Sequence, residues 1–324
     1  MKKSISILLV ISMLSIMLIG CGASDESSSS DKSLVYISRA MSDPFASWLA
    51  NSVQSQAEEA GYKVTIMDQE NDAAKAVECL ENAKNLNPDI IILQPEASSQ
   101  VLGTIENIKA DDIPVLIANV ILPEDPEACP TVVCDDYTLG RTIGAEAAAN
   151  LPENANVVIL NGIAGMAVTS DRRQGFEDGL LSERNDVTLL EEQTANFNKD
   201  EAMNIMDDWL QKYDNIDGVL AANDGMALGA IESYKSNNLD FSNVQFYGID
   251  GLADGCLSIK AGELTATVLQ DATTMATELV TLANGVLDGS VTDCPFITID
   301  AQFINADNVA DMIASHQANG LIEE

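Results

Sequence analysis

The chain has 324 residues, with 51 Asp and Glu against 16 Lys and Arg, a formal net charge of −35 and a single His. A phosphate backbone demands a basic footprint, so nucleic acid is excluded as a partner; otherwise the acidity speaks to solubility. One His (His316) and no CxxC pair leave little to build a zinc site from, and no metal or cofactor is called for.

The chain opens Met1-Lys2-Lys3-Ser4 and continues as an apolar run from Ile5 to Ile19 broken only by serines, the layout of a secretory signal over residues 1–20. The run ends Leu18-Ile19-Gly20-Cys21, which resembles the lipobox of bacterial lipoproteins. That resemblance implies cleavage before Cys21, a diacylglycerol (and fatty acyl, such as palmitate) modification of that residue, and a chain held at the extracytoplasmic face of the cell membrane. An uncleaved span is the competing reading, but the run is short for the roughly 20 residues a span needs. Residues 21–33 are Gly, Ser, Asp, Glu and Lys with almost nothing apolar, a flexible tether with a reach of about 20 Å. Past Cys21 five cysteines remain, an odd number, so at least one thiol is expected to stay free or pair between molecules. Cys129 and Cys134 are close enough in sequence to bridge in an oxidising compartment, and the spacing leaves the point open.

From Leu34 onward, apolar β-branched runs alternate with amphipathic stretches. Strands are predicted at Leu34–Ser38, Lys63–Met67, Asp89–Gln94 and Pro114–Ala118, with helices at Phe45–Ala60, Ala73–Asn85 and Val101–Ala110. A second series has helices at Tyr137–Asn150, Arg172–Leu181, Asp200–Lys212, Ala227–Ser236 and Ala253–Ala261, and strands at Asn156–Leu160, Val187–Gln193, Gly218–Ala222, Val244–Ile249 and Thr265–Leu269. Nearly continuous hydrophobic strands belong to parallel sheets covered on both faces. The length exceeds one core, so the fold class is α/β with two doubly wound, Rossmann-like lobes.

Ligands of open parallel sheets bind beyond the carboxyl ends of the strands. There the chain carries Asp43, Asn119, Arg172 at the end of a Gly-rich turn, Asn223 and Asp250. Asp accepts, Arg donates and Asn does both, a mixture that suits vicinal hydroxyls. No GxxxxGK[ST] appears, and no GxGxxG opens a helix after a strand. Each residue also has a plain structural role open to it: Asp43 before Pro44 reads as a helix cap, Asn223 and Asp224 could cap the helix that follows, and Asp250-Gly251 could be only a turn.

Asp43-Pro44-Phe45, Ile113-Pro114-Val115, Asn161 to Gly165, Arg172 to Phe176, Asn223 to Ala230, Tyr247 to Gly251 and Gly262 to Gln270, in this order, resemble the sugar-binding receptors of bacterial ABC transporters of the ribose-binding and glucose/galactose-binding type. The resemblance implies the type 1 periplasmic binding protein fold: two lobes joined by a three-crossover hinge near Cys134, Gln270 and Thr298. An N-terminal lobe of 34–134 plus 271–298 and a C-terminal lobe of 135–270 plus 299–324 follow. It further implies ligand contacts at Asp43, Phe45, Asn119, Arg172, Phe197, Asn223, Asp250 and Gln270, with Phe45 and Phe197 sandwiching a sugar or polyol ring. Delivery to a transporter permease by a monomer, with no catalysis, completes the expectation.

The chain departs from the family patterns at Asn119-Val120, Met166 and Val168, where polar neighbours are expected, so one side of the site loses polar contacts. Alternatives of other kinds are a ligand-sensing subunit for a chemoreceptor or histidine kinase, a receptor for a non-sugar solute, a glycosidase with carboxylates at Asp43 and Asp250, and a transcription regulator of the same fold, which the signal and the charge oppose.

Overall fold

The computed structural model describes residues 32–95, 100–122 and 124–322. The signal segment and the lipid-bearing Cys21 expected from the sequence lie outside these residues. The tether predicted over 21–33 is cut back, because the first strand begins at Lys32. Lys32 and Ser33 pair with Tyr62 and Lys63 of the neighbouring strand, and the Ser33 N–H donates to Asp89 Oδ2 at 2.6 Å. Two polar residues thus gain a ladder that their composition does not advertise.

The chain first forms β1 (Lys32–Ser38), α1 (Pro44–Glu59), β2 (Tyr62–Asp68), α2 (Ala73–Asn85), β3 (Ile90–Leu93), α3 (Leu102–Lys109), β4 (Val115–Ala118) and β5 (Thr131–Cys134). It continues with α4 (Asp136–Asn150), β6 (Asn156–Asn161), α5 (Ala167–Phe176), β7 (Thr188–Thr194), α6 (Lys199–Lys212), β8 (Gly218–Ala221), α7 (Asp224–Ser236), β9 (Gln245–Tyr247), α8 (Ala253–Lys260) and β10 (Ala266–Leu269). Last come α9 (Ala272–Asp288), β11 (Phe296–Ile299), β12 (Gln302–Asn305) and α10 (Val309–Ala318).

Two six-stranded sheets result, ordered β2-β1-β3-β4-β5-β11 and β7-β6-β8-β9-β10-β12. Every pairing is parallel except β10 with β12. Each sheet is a doubly wound half whose strand order reverses at its second and third positions, β1/β3 in one and β6/β8 in the other, the crevice where such sheets bind ligands. The chain passes between sheets after β5, after β10 and between β11 and β12.

In the first sheet, alternate residues feed opposite faces. Leu34, Tyr36, Ile90, Ile92 and Leu116 join the core that contains α1 and α9 residues. Val35, Ile37, Ile91, Leu93 and Ile117 join a separate cluster with Ala76, Leu80 and Ile105 of α2 and α3. Burial on both faces explains why these strands read as unbroken apolar runs.

The sequence reading omits β5 and everything after β10, and it starts α5 at Arg172. In the structure α5 begins at Ala167 and runs into a π-helical turn, Glu177–Leu181. Arg172 therefore sits inside a helix and not at the end of a turn. Cys129 and Cys134 are both buried free thiols. Cys134 ends β5, whose extended backbone, at about 3.3 Å per residue, carries it away from Cys129 before the strand.

Candidate functional site

The first sheet contributes its residues from the ends of β1 and β4. Asp43 is the cap of α1: its Oδ1 accepts from the Ala46 N–H at 2.9 Å, with Pro44 at the first helical position. The capping role foreseen for it is real but takes one oxygen only, since Oδ2 pairs with Arg39 at 2.7 Å, both side chains being 8% exposed. Arg39 in turn donates to Asn71 Oδ1 at 2.5 Å. Phe45, buried behind the cap, meets Trp48 edge-on at 6.3 Å between centroids. Asn119 follows β4 with φ +64°, a conformation that Asn tolerates better than most residues. Its Oδ1 is buried without a hydrogen-bond partner.

The second sheet supplies a cationic centre. Arg172, 2% exposed, donates through Nε to Asp136 Oδ1 at 2.8 Å, through one terminal nitrogen to the Ala222 carbonyl at 2.6 Å and Asp250 Oδ1 at 3.4 Å, and through the other to Gln270 Oε1 at 3.2 Å. Gln270 Nε2 donates to the same Asp250 oxygen at 3.2 Å. Three elements that are distant in sequence are thereby held together: Asp136 opens α4, Asp250 follows β9 and Gln270 follows β10. Burial pushes the Asp136 carboxyl up to about 6 against the pull of Arg172. Burial likewise drives Asp250 well above the ordinary carboxylate range, opposed by Arg172 and reinforced by Asp224 and Asp43.

Asn223 caps α7, accepting from the Met226 N–H at 2.9 Å, and its Nδ2 reaches the Phe197 carbonyl at 3.4 Å. Asp224 does not share that cap. It accepts from the Leu252 N–H at 2.8 Å and the Thr267 hydroxyl at 2.6 Å, fixing the loop that carries Asp250. Phe197 is set at φ +57°. Its ring lies within 5.7 Å of the Arg39 guanidinium and 5.9 Å of that of Arg172. The ring fits because residue 162 is Gly: a Cβ there would stand 2.1 Å from the ring.

All eight residues singled out in the sequence line one small cavity of about 30 Å³, together with Arg39, Val120, Met166 and Val168. A larger cavity of about 440 Å³ lies beyond Asp43 and Phe197, which border both. Sequence reasoning missed Arg39 and Asp136, and read Asp224 only as a possible cap. The four-residue spacing of Arg39 and Asp43 across a strand-to-helix turn was the available signal for the first. Asp136 follows β5, a strand the sequence reading did not draw, so its end went unread.

The lobes and the site between them define a two-lobed solute receptor. The chain belongs to the periplasmic binding protein family, whose domain model matches residues 34–290. Among characterised relatives, it is 28% identical over 291 residues to the ribose import binding protein of Haemophilus influenzae, covering 90% of this chain and 97% of that one. It is 29% identical over 301 residues to the xylitol-binding protein of Mycolicibacterium smegmatis, covering 92% and 84%. An ABC transporter solute-binding protein from Bacillus halodurans, solved with myo-inositol bound, superposes with a TM-score of 0.79 at 26% identity, covering 88% of this chain and 98% of that one.

Proposed function

We propose that the protein captures a neutral monosaccharide or related polyol between its lobes and presents it to the membrane component of an ABC transporter. The observation that carries this reading is the meeting, around one cavity, of the Arg39–Asp43 pair and the Arg172–Asp250–Gln270 cluster. Their charges are already offset internally, with Asp136 also on Arg172, so the site calls for donors and acceptors on the ligand and not for a net charge. The unpartnered Asn119 Oδ1 in the same wall suits a ligand hydroxyl. The ribose, xylitol and myo-inositol named for the relatives are small polyhydroxylated solutes of this kind.

A cavity of about 30 Å³ has room for one or two waters. A ring-sized solute therefore reaches these side chains when the lobes part, and closure follows from contacts made with both. In this reading Phe45 and Phe197 close on the ring faces, the lobes are 34–134 plus 271–298 and 135–270 plus 299–324, the protein acts as a monomer without catalysis, and lipid on Cys21 keeps it beside its transporter. A thermal-shift screen of purified protein against pentoses, hexoses, polyols, deoxy sugars and nucleosides tests the ligand class, since bound ligand raises the melting temperature by mass action. A stabilising sugar or polyol is expected; stabilisation by nucleosides alone, or turnover of glycosides in a separate assay, would replace the proposal. Cys21→Ser should move the protein from the membrane fraction to the soluble one, and retention would rule out the anchor.

A further inference from the structure

The inner cavity is lined by a charged and amide set, Arg39, Asp43, Arg172, Asp250 and Gln270, by an apolar set, Val120 after Asn119 from the first sheet and Met166 and Val168 from the start of α5 in the second, and by Phe45, Phe197 and Asn223. A solute that parts the lobes to enter this space comes up against lining residues of both kinds. The boundary runs along α5. Val168 and Arg172 are four residues apart, hence neighbours on one helix face about 6 Å apart, and the lining changes from guanidinium to valine methyls within one turn. Met166 and Val168 are 7% and 8% exposed, so nothing polar from solvent substitutes for them. Next to Val120 in the chain stands Asn119, its Oδ1 buried and unpartnered.

The geometry points to a ligand that is itself two-sided: a deoxy or methyl-branched sugar or polyol, whose hydroxyl edge meets the charged and amide set and whose methyl or unsubstituted carbon meets Val120, Met166 and Val168. The inference rests on the sugar-receptor reading and refines it. A ring hydroxyl pressed against three apolar side chains gives up its hydrogen bonds to water and finds none in return. A methyl or methylene group at the same position buries apolar surface instead. Asn119 accepts a hydroxyl beside the deoxy position and so fixes which way round the ligand lies.

Calorimetric titration with matched pairs tests this: D-fucose against D-galactose, L-rhamnose against L-mannose, and 2-deoxy- and 5-deoxy-D-ribose against D-ribose. At least one deoxy member is expected to bind about tenfold or more tighter than its hydroxylated partner, the effect of one unpaired hydroxyl. Val168→Thr and, independently, Val120→Thr add a hydroxyl with little change of shape, and each should narrow that ratio several-fold. If hydroxylated partners bind as well as or better than deoxy ones throughout, the two-sided ligand is overturned while the sugar receptor stands. Binding of no sugar or polyol at all overturns both. A preference that neither variant alters removes these residues as its cause.

Discussion

At the scale of single residues, Arg172 is both recognition group and structural tie. From the sequence it reads as a ligand contact alone. Its bonds to Asp136, the Ala222 carbonyl, Asp250 and Gln270 make that reading incomplete. Lysine keeps the charge but cannot reproduce a planar fork serving four acceptors, and it leaves buried acceptors without donors. Arg172→Lys should therefore lower apo stability by about 1–3 kcal/mol as well as abolish ligand-induced stabilisation. Urea unfolding with and without ligand checks both, and an apo midpoint equal to that of the parent protein would return Arg172 to a purely ligand-contacting role. Asp43 and Asn223 show a related economy: each caps a helix with one atom and keeps another for the site.

At the scale of elements, the position of Arg172 depends on how closely α4 meets α5. A Cβ on Gly140 would stand 2.3 Å from the Arg172 carbonyl oxygen, and one on Gly175 would stand 2.4 Å from the Arg141 nitrogen. The two helices thus cross backbone to backbone. Gly140→Ala must push α5 outward and take the guanidinium out of register with Asp250 and Gln270. Overpacking of this kind costs about 1–3 kcal/mol, and ligand affinity should fall further than stability alone explains. Chemical denaturation paired with titration separates the two effects; unchanged affinity would show that α5 shifts without moving its side chain.

At the scale of the whole molecule, the buried acids give stability a pH dependence of definite sign. Asp136 at about 6 and Asp224 at about 7 lie above the unfolded carboxylate value of about 4, raised chiefly by burial, and Asp250 is raised as well. Between these values the folded state holds protons that the unfolded state has released, so stability is greatest below the unfolded value and declines as pH rises through about 7. Carboxylates held low by ion pairs run the other way: half-buried Glu191, at about 2 through Lys212, Tyr213 and Gln193, stabilises above about pH 4 and loses that contribution as pH falls through about 2. The melting temperature of the apo protein should therefore drop from pH 5 to pH 7.5. Asp224→Asn, which removes one of the buried titrating groups, should make the slope shallower, and an unaltered slope would assign it elsewhere.

What the sequence determined by itself was local. Continuous Val, Ile and Leu runs mark strands buried on both faces, α2 is predicted with the bounds it has in the structure, and Asp43-Pro44 marks a helix start because cap chemistry lies within a few residues. Asp43, Asn119, Asn223 and Asp250 were legible as strand-end polar groups for the same reason, Arg172 was found through a turn that the structure replaces with a helix, and Phe45, Phe197 and Gln270 came from the family resemblance. Only the tertiary structure decided which groups neutralise one another. The Arg172–Gln270 bond spans 98 residues and the Arg172–Asp136 bond joins α5 to the start of α4. Pairing of this kind depends on sheet order and on glycine-mediated helix contact, neither of which leaves a periodic trace in the chain. Val120, Met166 and Val168 already stood out in the sequence as departures from the family pattern, but only the tertiary structure brings them to one cavity with Arg39, Asp43, Arg172, Asp250 and Gln270.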